Sequence, residues 1–278
     1  MKKIKITENF YFSNDSEIKF ILGPCQIESK QHAFDICYEI ERLSQKFKFK
    51  YIYKSSFDKA NRTSHKSKRG IGIKKGLDIL SQIREKFKCP VISDVHESSQ
   101  CKIAKEALDV IQIPAFLCRQ TDLIKAACET NKPLNIKKGQ FLSPEQIENI
   151  ILKCKNFGNE KIMICERGSS FGYNNLVVDM LNFDIMKSFD VPVVFDVTHS
   201  LQMPGGLGKS TAGRREYLLQ LARAGISQKI AGLFLETHPN PDEAKCDGPC
   251  ALQLSLLEDC LLYTSDAADE EDSVDLGG

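Results

Sequence analysis

Four residues of the sequence carry the side chains of a mixed-ligand metal site. Cys25, His199, Glu236 and Asp247 would supply one sulfur, one imidazole nitrogen and two carboxylate oxygens. Such a set suits a borderline divalent ion, Zn²⁺, Fe²⁺ or Mn²⁺, better than Ca²⁺ or Mg²⁺. Single Cys and His residues more often pack or form hydrogen bonds, so the four residues form a site only if the fold brings them together.

A second group consists of cationic side chains that lie at or after the ends of short apolar runs. They are Lys54, Lys59, Arg62, Arg119, Lys137, Lys138 and Arg167. In one concave site these charges would repel one another unless anions bind between them, and both Arg and Lys bind phosphate. Two phosphate groups are the expected ligands. Nucleic acid is not expected, because the charges do not form a basic stripe and the chain has no Trp.

Eight short apolar runs rich in β-branched residues precede these polar side chains. They span residues 20–25, 51–55, 91–95, 110–114, 134–138, 162–166, 191–197 and 232–236. Stretches with helical spacing separate them, as in Ile36, Ile40 and Leu43. This alternation predicts an α/β fold, a closed (β/α)8 TIM barrel. A doubly wound open sheet is the alternative, but no G-x-G-x-x-G follows the first run.

A closed parallel barrel would bring the candidate residues together. All of its strands end at the same face, so residues far apart in sequence converge there. Strand eight closes against strand one, which would place the four metal-ligand candidates next to each other. Asp94, Gln112 and Gln140, which lie at or just after the ends of the third, fourth and fifth runs, would lie around the same cavity.

The barrel is predicted to form one domain over residues 1–259. Its first 18 residues alternate apolar and polar side chains on both sides of Ser13-Asn14-Asp15, which predicts a β-hairpin cap with its turn there. From Cys260 the chain reads CLLYTSDAADE, which resembles the translation of a sequencing adapter. Residues 260–278 are therefore interpreted as a non-native, disordered acidic tail that truncates a last helix beginning at residues 251–254.

The composition indicates a soluble enzyme of the cytoplasm. No apolar run approaches the roughly 20 residues that span a bilayer, and Lys2-Lys3 is followed by polar residues rather than a signal core. The eleven cysteines include no C-x-x-C pair, and we interpret most of them as buried free thiols.

Four longer motifs resemble a known family. They are KSSFDKANR at 54–62, RGSSFGYNNLVVD at 167–179, DVTHS at 196–200 and KCDGP at 245–249. Together they closely resemble the 3-deoxy-D-manno-octulosonate 8-phosphate synthases, and the resemblance runs from about residue 3 to residue 259. Enzymes of this family join phosphoenolpyruvate to arabinose 5-phosphate and release inorganic phosphate, on the route to the inner sugar of lipopolysaccharide.

The resemblance also implies roles for individual residues and a homotetramer. Phosphoenolpyruvate would be held by Lys54, Lys59, Gln112, Lys137 and Arg167. Asn61, Arg62 and Thr63 would hold the sugar phosphate, with Arg119 reaching in from a neighbouring subunit. Gln140 is a further substrate-binding candidate, and Asp94 and Asp247 are candidates to manage protons or sugar hydroxyls.

The family divides into metal-dependent members with Cys at the end of strand one and metal-independent members with Asn there. This chain has Cys25, so the resemblance implies the metal-dependent class and one divalent ion.

Three alternatives remain open at this point. A Schiff-base aldolase could use Lys137 or Lys138. The related condensation with erythrose 4-phosphate is a second alternative, although the Asn61-Arg62-Thr63 block favours the five-carbon sugar. A catalytically inactive phosphate-binding protein is the third.

Overall fold

Strands and helices alternate along the chain in the computed structural model, which describes residues 2–62, 64–206 and 212–262. The strands are β1 Ile4–Thr7, β2 Phe10–Phe12, β3 Lys19–Gly23, β4 Tyr51–Lys54, β5 Val91–Asp94, β6 Val110–Ile113, β7 Leu134–Lys137, β8 Ile162–Glu166, β9 Ser169–Ser170, β10 Leu176–Val177, β11 Val193–Asp196, β12 Gln202–Met203, β13 Ala212–Gly213, β14 Gly232–His238 and β15 Leu252–Gln253. The α-helices are α1 Lys30–Phe47, α2 Ile73–Phe87, α3 Ser98–Ala107, α4 Thr121–Cys128, α5 Ile147–Asn156, α6 Leu181–Lys187, α7 Val197–Ser200 and α8 Leu218–Ile226.

Eight of these strands pair in parallel and close into a barrel. In spatial order they are β3, β4, β5, β6, β7, β8, β11 and β14. The ring closes where β14 pairs with β11 on one side, Val194 opposite Gly232, and with β3 on the other, Gly23 opposite Glu236. The predicted (β/α)8 TIM barrel is confirmed, and each of the eight apolar runs overlaps one barrel strand.

The helices pack their apolar faces against the outside of the barrel. Ile36, Ile40 and Leu43 of α1 are buried, as their spacing predicted. This helix begins where the Ser29 hydroxyl accepts a hydrogen bond from the backbone N–H of His32, at 3.1 Å, which satisfies one of the free donors of the first turn. The outer layer therefore fixes each strand against its helix and leaves the strand ends free to carry the site.

The antiparallel hairpin of β1 and β2 covers the amino-terminal end of the barrel. Its buried side chains Ile4, Phe10 and Phe12 join the residues that fill the barrel interior. Those interior residues are Ile21, Ile52, Ile92, Val110, Met163, Cys165, Val194, Ala231 and Phe234. The predicted hairpin cap is confirmed, and it lies at the end opposite the carboxyl ends of the strands.

The position predicted for the hairpin turn is wrong. The chain reverses at Glu8 and Asn9, between β1 and β2. Asn14, expected in that turn, instead donates to the carbonyl of Val191 at 2.9 Å and accepts from the N–H of Val193 at 2.8 Å. Its amide thus ties the segment after the hairpin to the start of β11, which explains why a turn-forming residue occurs there.

The carboxyl-terminal residues 251–262 also differ from the predicted structure. Residues 252–253 form β15, which pairs with the end of β14, so the helix does not begin at residues 251–254. Helical residues follow a 3-10 turn at Leu254–Leu256 and continue to Leu262. Cys260 and Leu261 are buried, so the packed structure continues past residue 259. The rest of the predicted acidic tail, residues 263–278, lies outside the described residues.

All eleven cysteines are free and buried, which confirms the interpretation of most of them as buried free thiols. None of the helices in the described part of the chain has the length and apolar character that crossing a membrane requires.

Candidate active site

A cavity of about 390 Å³ opens among the carboxyl ends of the barrel strands. Nine of the predicted site residues line it: Lys59, Asn61, Arg62, Asp94, Lys137, Gln140, Arg167, His199 and Asp247. Four of the nine are cationic Lys or Arg, and they come from loops or strand ends spread around the barrel. The structure therefore combines a concentration of positive charge with two carboxylates and an imidazole in one recess.

Four other predicted residues lie behind the cavity wall. Cys25, Lys54, Gln112 and Glu236 are buried and contact residues that line the cavity or one another. Lys54 donates to Oε1 of Glu236 and, at 3.1 Å, to the backbone carbonyl of Cys25. Its ammonium thus neutralises a buried carboxylate, whereas the resemblance had implied a direct contact with phosphoenolpyruvate.

Two further candidates, Arg119 and Lys138, are placed elsewhere. Arg119 is exposed and does not line the cavity of its own chain. Lys138 is fully buried, and its ammonium donates to the carbonyl of Leu142 at 3.2 Å and to the hydroxyl of Ser169 at 2.9 Å. Lys138 is thus held away from the cavity. Thr63 lies outside the described residues.

The four predicted metal ligands converge at one side of the cavity. The Cys25 thiol donates to Oδ2 of Asp247 at 3.2 Å. Nε2 of His199 is 3.5 Å from Oε2 of Glu236 and 3.8 Å from Oδ2 of Asp247. Two groups of potential ligand atoms, each within 4.8 Å, share Asp247: one contains Cys25 and Cys246, and the other contains His199 and Glu236. A sulfur, a nitrogen and two carboxylates in this arrangement fit a tetrahedral or expanded transition-metal site.

A glycine allows the cysteine to reach this position. Gly23 ends β3 with φ of +148°, and a Cβ on it would lie 2.0 Å from the carbonyl oxygen of Lys54. Any side chain there would push β3 and β4 apart. The close approach of these strands sets Cys25, two residues later, beside Asp247. Asp247 itself adopts the left-handed conformation, φ +51°, at the turn that follows β14.

A chain of buried polar side chains supports Asp94 from below. Its Oδ1 accepts from Nε2 of Gln112 at 2.6 Å, and Asn135 donates in turn to Oε1 of Gln112 at 2.8 Å. Its Oδ2 accepts from the Ser56 hydroxyl and lies 3.8 Å from Nζ of Lys59. Burial raises the pKa of Asp94, but the nearby lysines outweigh burial and hold that pKa well below its usual range. Asp94 is therefore an oriented, ionised carboxylate.

Several buried polar atoms on cavity-lining side chains have no hydrogen-bond partner within the described part of the chain. They are Nε of Arg62, Nδ1 of His96, Oε1 of Gln140 and Nη1 of Arg167. Leaving such an atom unpaired costs on the order of 1–3 kcal/mol, and more for a charged group. The wall thus suits a polar ligand. A bound anion or hydroxyl could accept hydrogen bonds from the unpaired N–H groups, and a hydroxyl could donate one to Oε1 of Gln140.

Comparison with known proteins agrees with this geometry. The family model described as "DAHP synthetase I family" matches residues 2–270. A protein of Pseudomonas syringae pv. tomato named 2-dehydro-3-deoxyphosphooctonate aldolase is 52% identical over 257 residues, which cover 92% of each chain. A protein of Rickettsia prowazekii with the same name is 52% identical over 262 residues, 94% of this chain and 95% of the relative.

The chain belongs to the DAHP synthetase I family.

In this member of the DAHP synthetase I family, four residues of the site were not among the predicted site residues. His96 lines the cavity, and Asp196 lies beneath it with its carboxylate against Lys137 and His199. Both follow or end a barrel strand, so their position in the sequence could have identified them. Cys246 and Gln202 bond to the two oxygens of Asp247, at 3.1 and 3.0 Å, and no spacing signal pointed to them.

Two of the predicted metal ligands, His199 and Cys25, have raised pKa values that favour their protonated forms. Burial lowers the pKa of His199, but the carboxylates of Asp196 and Glu236 outweigh burial and raise that pKa to about 10. Burial raises the pKa of the Cys25 thiol well above its usual value. A metal ion binds thiolate and neutral imidazole, so its arrival would replace a proton on each of these groups.

Proposed function

We propose that this chain condenses phosphoenolpyruvate with D-arabinose 5-phosphate, giving 3-deoxy-D-manno-octulosonate 8-phosphate and inorganic phosphate. The name of its relatives, 2-dehydro-3-deoxyphosphooctonate aldolase, corresponds to this reaction. The observation that carries the proposal is the single 390 Å³ cavity in which Lys59, Arg62, Lys137 and Arg167 face two carboxylates. The product is a precursor of the inner sugar of lipopolysaccharide, so we place the enzyme in that pathway.

Two separate cationic groups favour two phosphorylated substrates. Strands β4 and β8, which precede Arg62 and Arg167, lie opposite each other in the closed order of eight strands. Arg167 is anchored by a 2.6 Å hydrogen bond to Gln202, and Arg62 by a 3.2 Å hydrogen bond to the carbonyl of Lys245. Arg167 with Lys137 suits phosphoenolpyruvate, and Arg62 with Asn61 suits the sugar phosphate.

Fixing both phosphates makes the bimolecular step effectively intramolecular. The methylene carbon, C3, of phosphoenolpyruvate bonds to the aldehyde carbon of the sugar, and the aldehyde oxygen takes up a proton. Water adds its oxygen to C2, and phosphate leaves with the C2–O bond electrons. Asp94 and Asp247 line the cavity as carboxylates whose low pKa keeps them ionised, so they can accept hydrogen bonds that orient the attacking water and the sugar hydroxyls, and the proton that the water loses balances the one that the aldehyde oxygen takes up.

A divalent ion, Zn²⁺, Fe²⁺ or Mn²⁺, is part of the proposal. Cys25, His199, Glu236 and Asp247 would hold it, and their convergence within hydrogen-bonding and ion-pairing distances supports this assignment. When bound, such an ion supplies Lewis acidity at that side of the cavity. Lys54, which now pairs with Glu236, would help balance the charge of the ligand set.

We also propose a cytoplasmic homotetramer in which Arg119 reaches the cavity of a neighbouring subunit. Arg119 is exposed close in sequence to Phe116, which lines the cavity and is 53% exposed. Phe141, Phe171 and Tyr173, in the loops after β7 and β8, are between 55% and 98% exposed. Large exposed apolar side chains on one face favour a protein partner. A second copy of the chain would cover them.

The reaction is tested by measuring phosphate release from phosphoenolpyruvate with arabinose 5-phosphate or erythrose 4-phosphate, each with and without a chelator. We expect release with the pentose phosphate and loss of activity after chelation. Phosphate release only with erythrose 4-phosphate would show that this sugar, and not arabinose 5-phosphate, is the substrate. Binding of both ligands without phosphate release would indicate an inactive binding protein.

Borohydride reduction in the presence of substrate addresses the Schiff-base alternative. Nζ of Lys137 donates to Oδ2 of Asp196 at 2.5 Å, which favours its charged form, and Lys138 faces away from the cavity. We therefore expect no stable lysine adduct. A reduced adduct on either lysine would contradict the proposed condensation.

A further inference from the structure

We propose that Asp196 is a positioning residue that couples the metal-binding imidazole of His199 to the ammonium of Lys137. The inference rests on the proposed function and concerns a residue that contacts neither substrate nor metal in it. Oδ2 of Asp196 accepts from Nζ of Lys137 at 2.5 Å and lies 2.7 Å from Nδ1 of His199, an ion-pairing distance. The side chain is 0% exposed, so its charge is compensated entirely by protein groups.

The other carboxylate oxygen fixes the direction of Asp196. Oδ1 accepts from the backbone N–H of His199 at 2.9 Å and from the hydroxyl of Thr198 at 3.0 Å, which caps the first turn of α7. The Thr198 hydroxyl in turn accepts from the backbone N–H of Glu236 at 3.2 Å. Three hydrogen bonds and the ion pair with Nδ1 of His199 hold both oxygens, so the carboxylate keeps one orientation between β11 and β14.

The contact with His199 decides which imidazole nitrogen faces the metal ligands. The 2.7 Å distance between Nδ1 and a carboxylate oxygen of Asp196 favours a proton on Nδ1, and Nε2 lies 3.5 Å from Oε2 of Glu236 and 3.8 Å from Oδ2 of Asp247. A carboxylate that accepts from the remote nitrogen of a liganding histidine fixes its tautomer and raises its basicity. Asp196 therefore prepares Nε2 as the nitrogen that binds the metal.

The contact with Lys137 fixes the position of its ammonium group, which we propose binds the phosphate of phosphoenolpyruvate. One N–H of the ammonium is used by Asp196, and Nζ lies 3.9 Å from the ring centroid of Phe234. Lys137 also lines the cavity, so its remaining N–H groups are available to an anion there. Nζ of Lys137 and Nδ1 of His199 are only 3.4 Å apart, because both converge on the same oxygen.

One carboxylate thus carries two functions, and disturbing it should affect both. In Asp196→Asn the amide has no negative charge, and its NH₂ group would face the donors of Lys137 or His199. We expect metal affinity to fall by about 10- to 100-fold, the usual effect of losing such a supporting carboxylate. We also expect KM for phosphoenolpyruvate to rise on the order of tenfold while KM for arabinose 5-phosphate stays unchanged, because the described side-chain contacts of Asp196 are with Lys137, Thr198 and His199 and not with Arg62 or Asn61.

Glu166→Gln is the matched control. Glu166 is also 0% exposed, ends the neighbouring strand β8, and lies 3.5 Å from Nζ of a lysine, Lys138. None of the hydrogen bonds or ion pairs of Glu166 involves His199 or Lys137. A general effect of removing a buried charge would appear equally in both variants, whereas the positioning role predicts weaker metal binding only in Asp196→Asn.

Metal affinity is measured on metal-free protein by competition with a chromophoric chelator, using Zn²⁺ and Co²⁺ without substrate. The absorption of the Co²⁺ form adds a readout of the coordination geometry, which we expect to change in Asp196→Asn and to remain as in the wild type in Glu166→Gln. Because no substrate is present, these results are independent of the phosphate-release assay that tests the reaction. Wild-type metal affinity and spectrum in Asp196→Asn, or equal losses in both variants, would overturn the proposal.

A measurement on the wild-type protein keeps the proposal testable if Asp196→Asn does not fold. If Asp196 couples the two groups, phosphoenolpyruvate must change the affinity for metal, and metal must change the affinity for phosphoenolpyruvate, by the same factor. We expect a factor of at least about fivefold, the lower end of typical coupling between sites. Metal affinity that is unchanged by saturating phosphoenolpyruvate would contradict the coupling.

Discussion

Lys54 and Glu236 form an ion pair in which each side chain is only 1% exposed. Removing one partner of a buried pair leaves an uncompensated charge, at a cost of about 3–5 kcal/mol. We therefore expect Lys54→Met to lower the free energy of unfolding of the metal-free protein by that amount, measured by urea denaturation. With saturating Zn²⁺ or Mn²⁺ the loss should be smaller, because the ion would compensate Glu236.

The control for this prediction is an exposed pair. Lys46 lies 2.5 Å from Oε1 of Glu258, and the two side chains are 50% and 31% exposed. Lys46→Met should cost less than about 1 kcal/mol, with or without metal, because solvent screens surface pairs. The interpretation of the Lys54 pair fails if its loss is equally small, and the metal assignment of Glu236 is contradicted if added ion changes nothing.

Cys25→Asn should remove the metal dependence of the reaction and lower its rate without unfolding the protein. The substitution replaces a thiol that lies 3.2 Å from Asp247 by a side chain of similar size that binds a borderline metal poorly. The measurements are metal content, chelator sensitivity of phosphate release, and thermal unfolding. Cys250→Ser, at another buried cysteine outside the ligand groups, should keep its metal. Undiminished chelator sensitivity in Cys25→Asn would argue against this ligand.

The hairpin cap should contribute to stability and not to catalysis. Phe12 is 0% exposed and packs into the amino-terminal end of the barrel, whereas Tyr11, its neighbour in β2, is 37% exposed. Phe12→Ala should cost about 3–5 kcal/mol through a cavity that the barrel cannot close, and Tyr11→Ala much less. Chemical denaturation measures both. We expect kcat per folded molecule to be unchanged in each variant, and a selective loss of kcat would show that the cap influences the site.

The barrel could be predicted because each strand coincides with a short apolar run rich in β-branched residues. Eight such runs alternating with helices are typical of a closed parallel barrel. Because all strands of such a barrel end at one face, the sequence also predicted that Asp94, His199 and Asp247 line one cavity, as they do. It could not place Lys54, because a strand-end lysine can point into the cavity or, as here, into the barrel wall.

The hairpin turn and the last helix show a second limit of sequence patterns. Asn14 is a favourable turn residue, yet its amide bonds to β11, almost 180 positions away. Residues 252–253 fit a helix by composition, but pairing with β14 makes them a strand. In both places a contact with a residue distant in sequence outweighs local propensity. Such contacts cannot be predicted from the local sequence pattern.

The two arginines of the cavity should act on different substrates. Losing a hydrogen bond to a charged group costs about 1.5–3 kcal/mol, or roughly 10- to 100-fold in affinity. Arg62→Ala should therefore raise KM for arabinose 5-phosphate by that factor and leave KM for phosphoenolpyruvate nearly unchanged. Arg167→Ala should do the reverse, because Arg167 follows β8 on the opposite side of the barrel. Initial-rate kinetics with each substrate varied in turn provides the measurement, and Arg69→Ala, at an exposed arginine paired with Asp58, is the control. Equal increases in both KM values for either cavity variant would contradict separate phosphate sites.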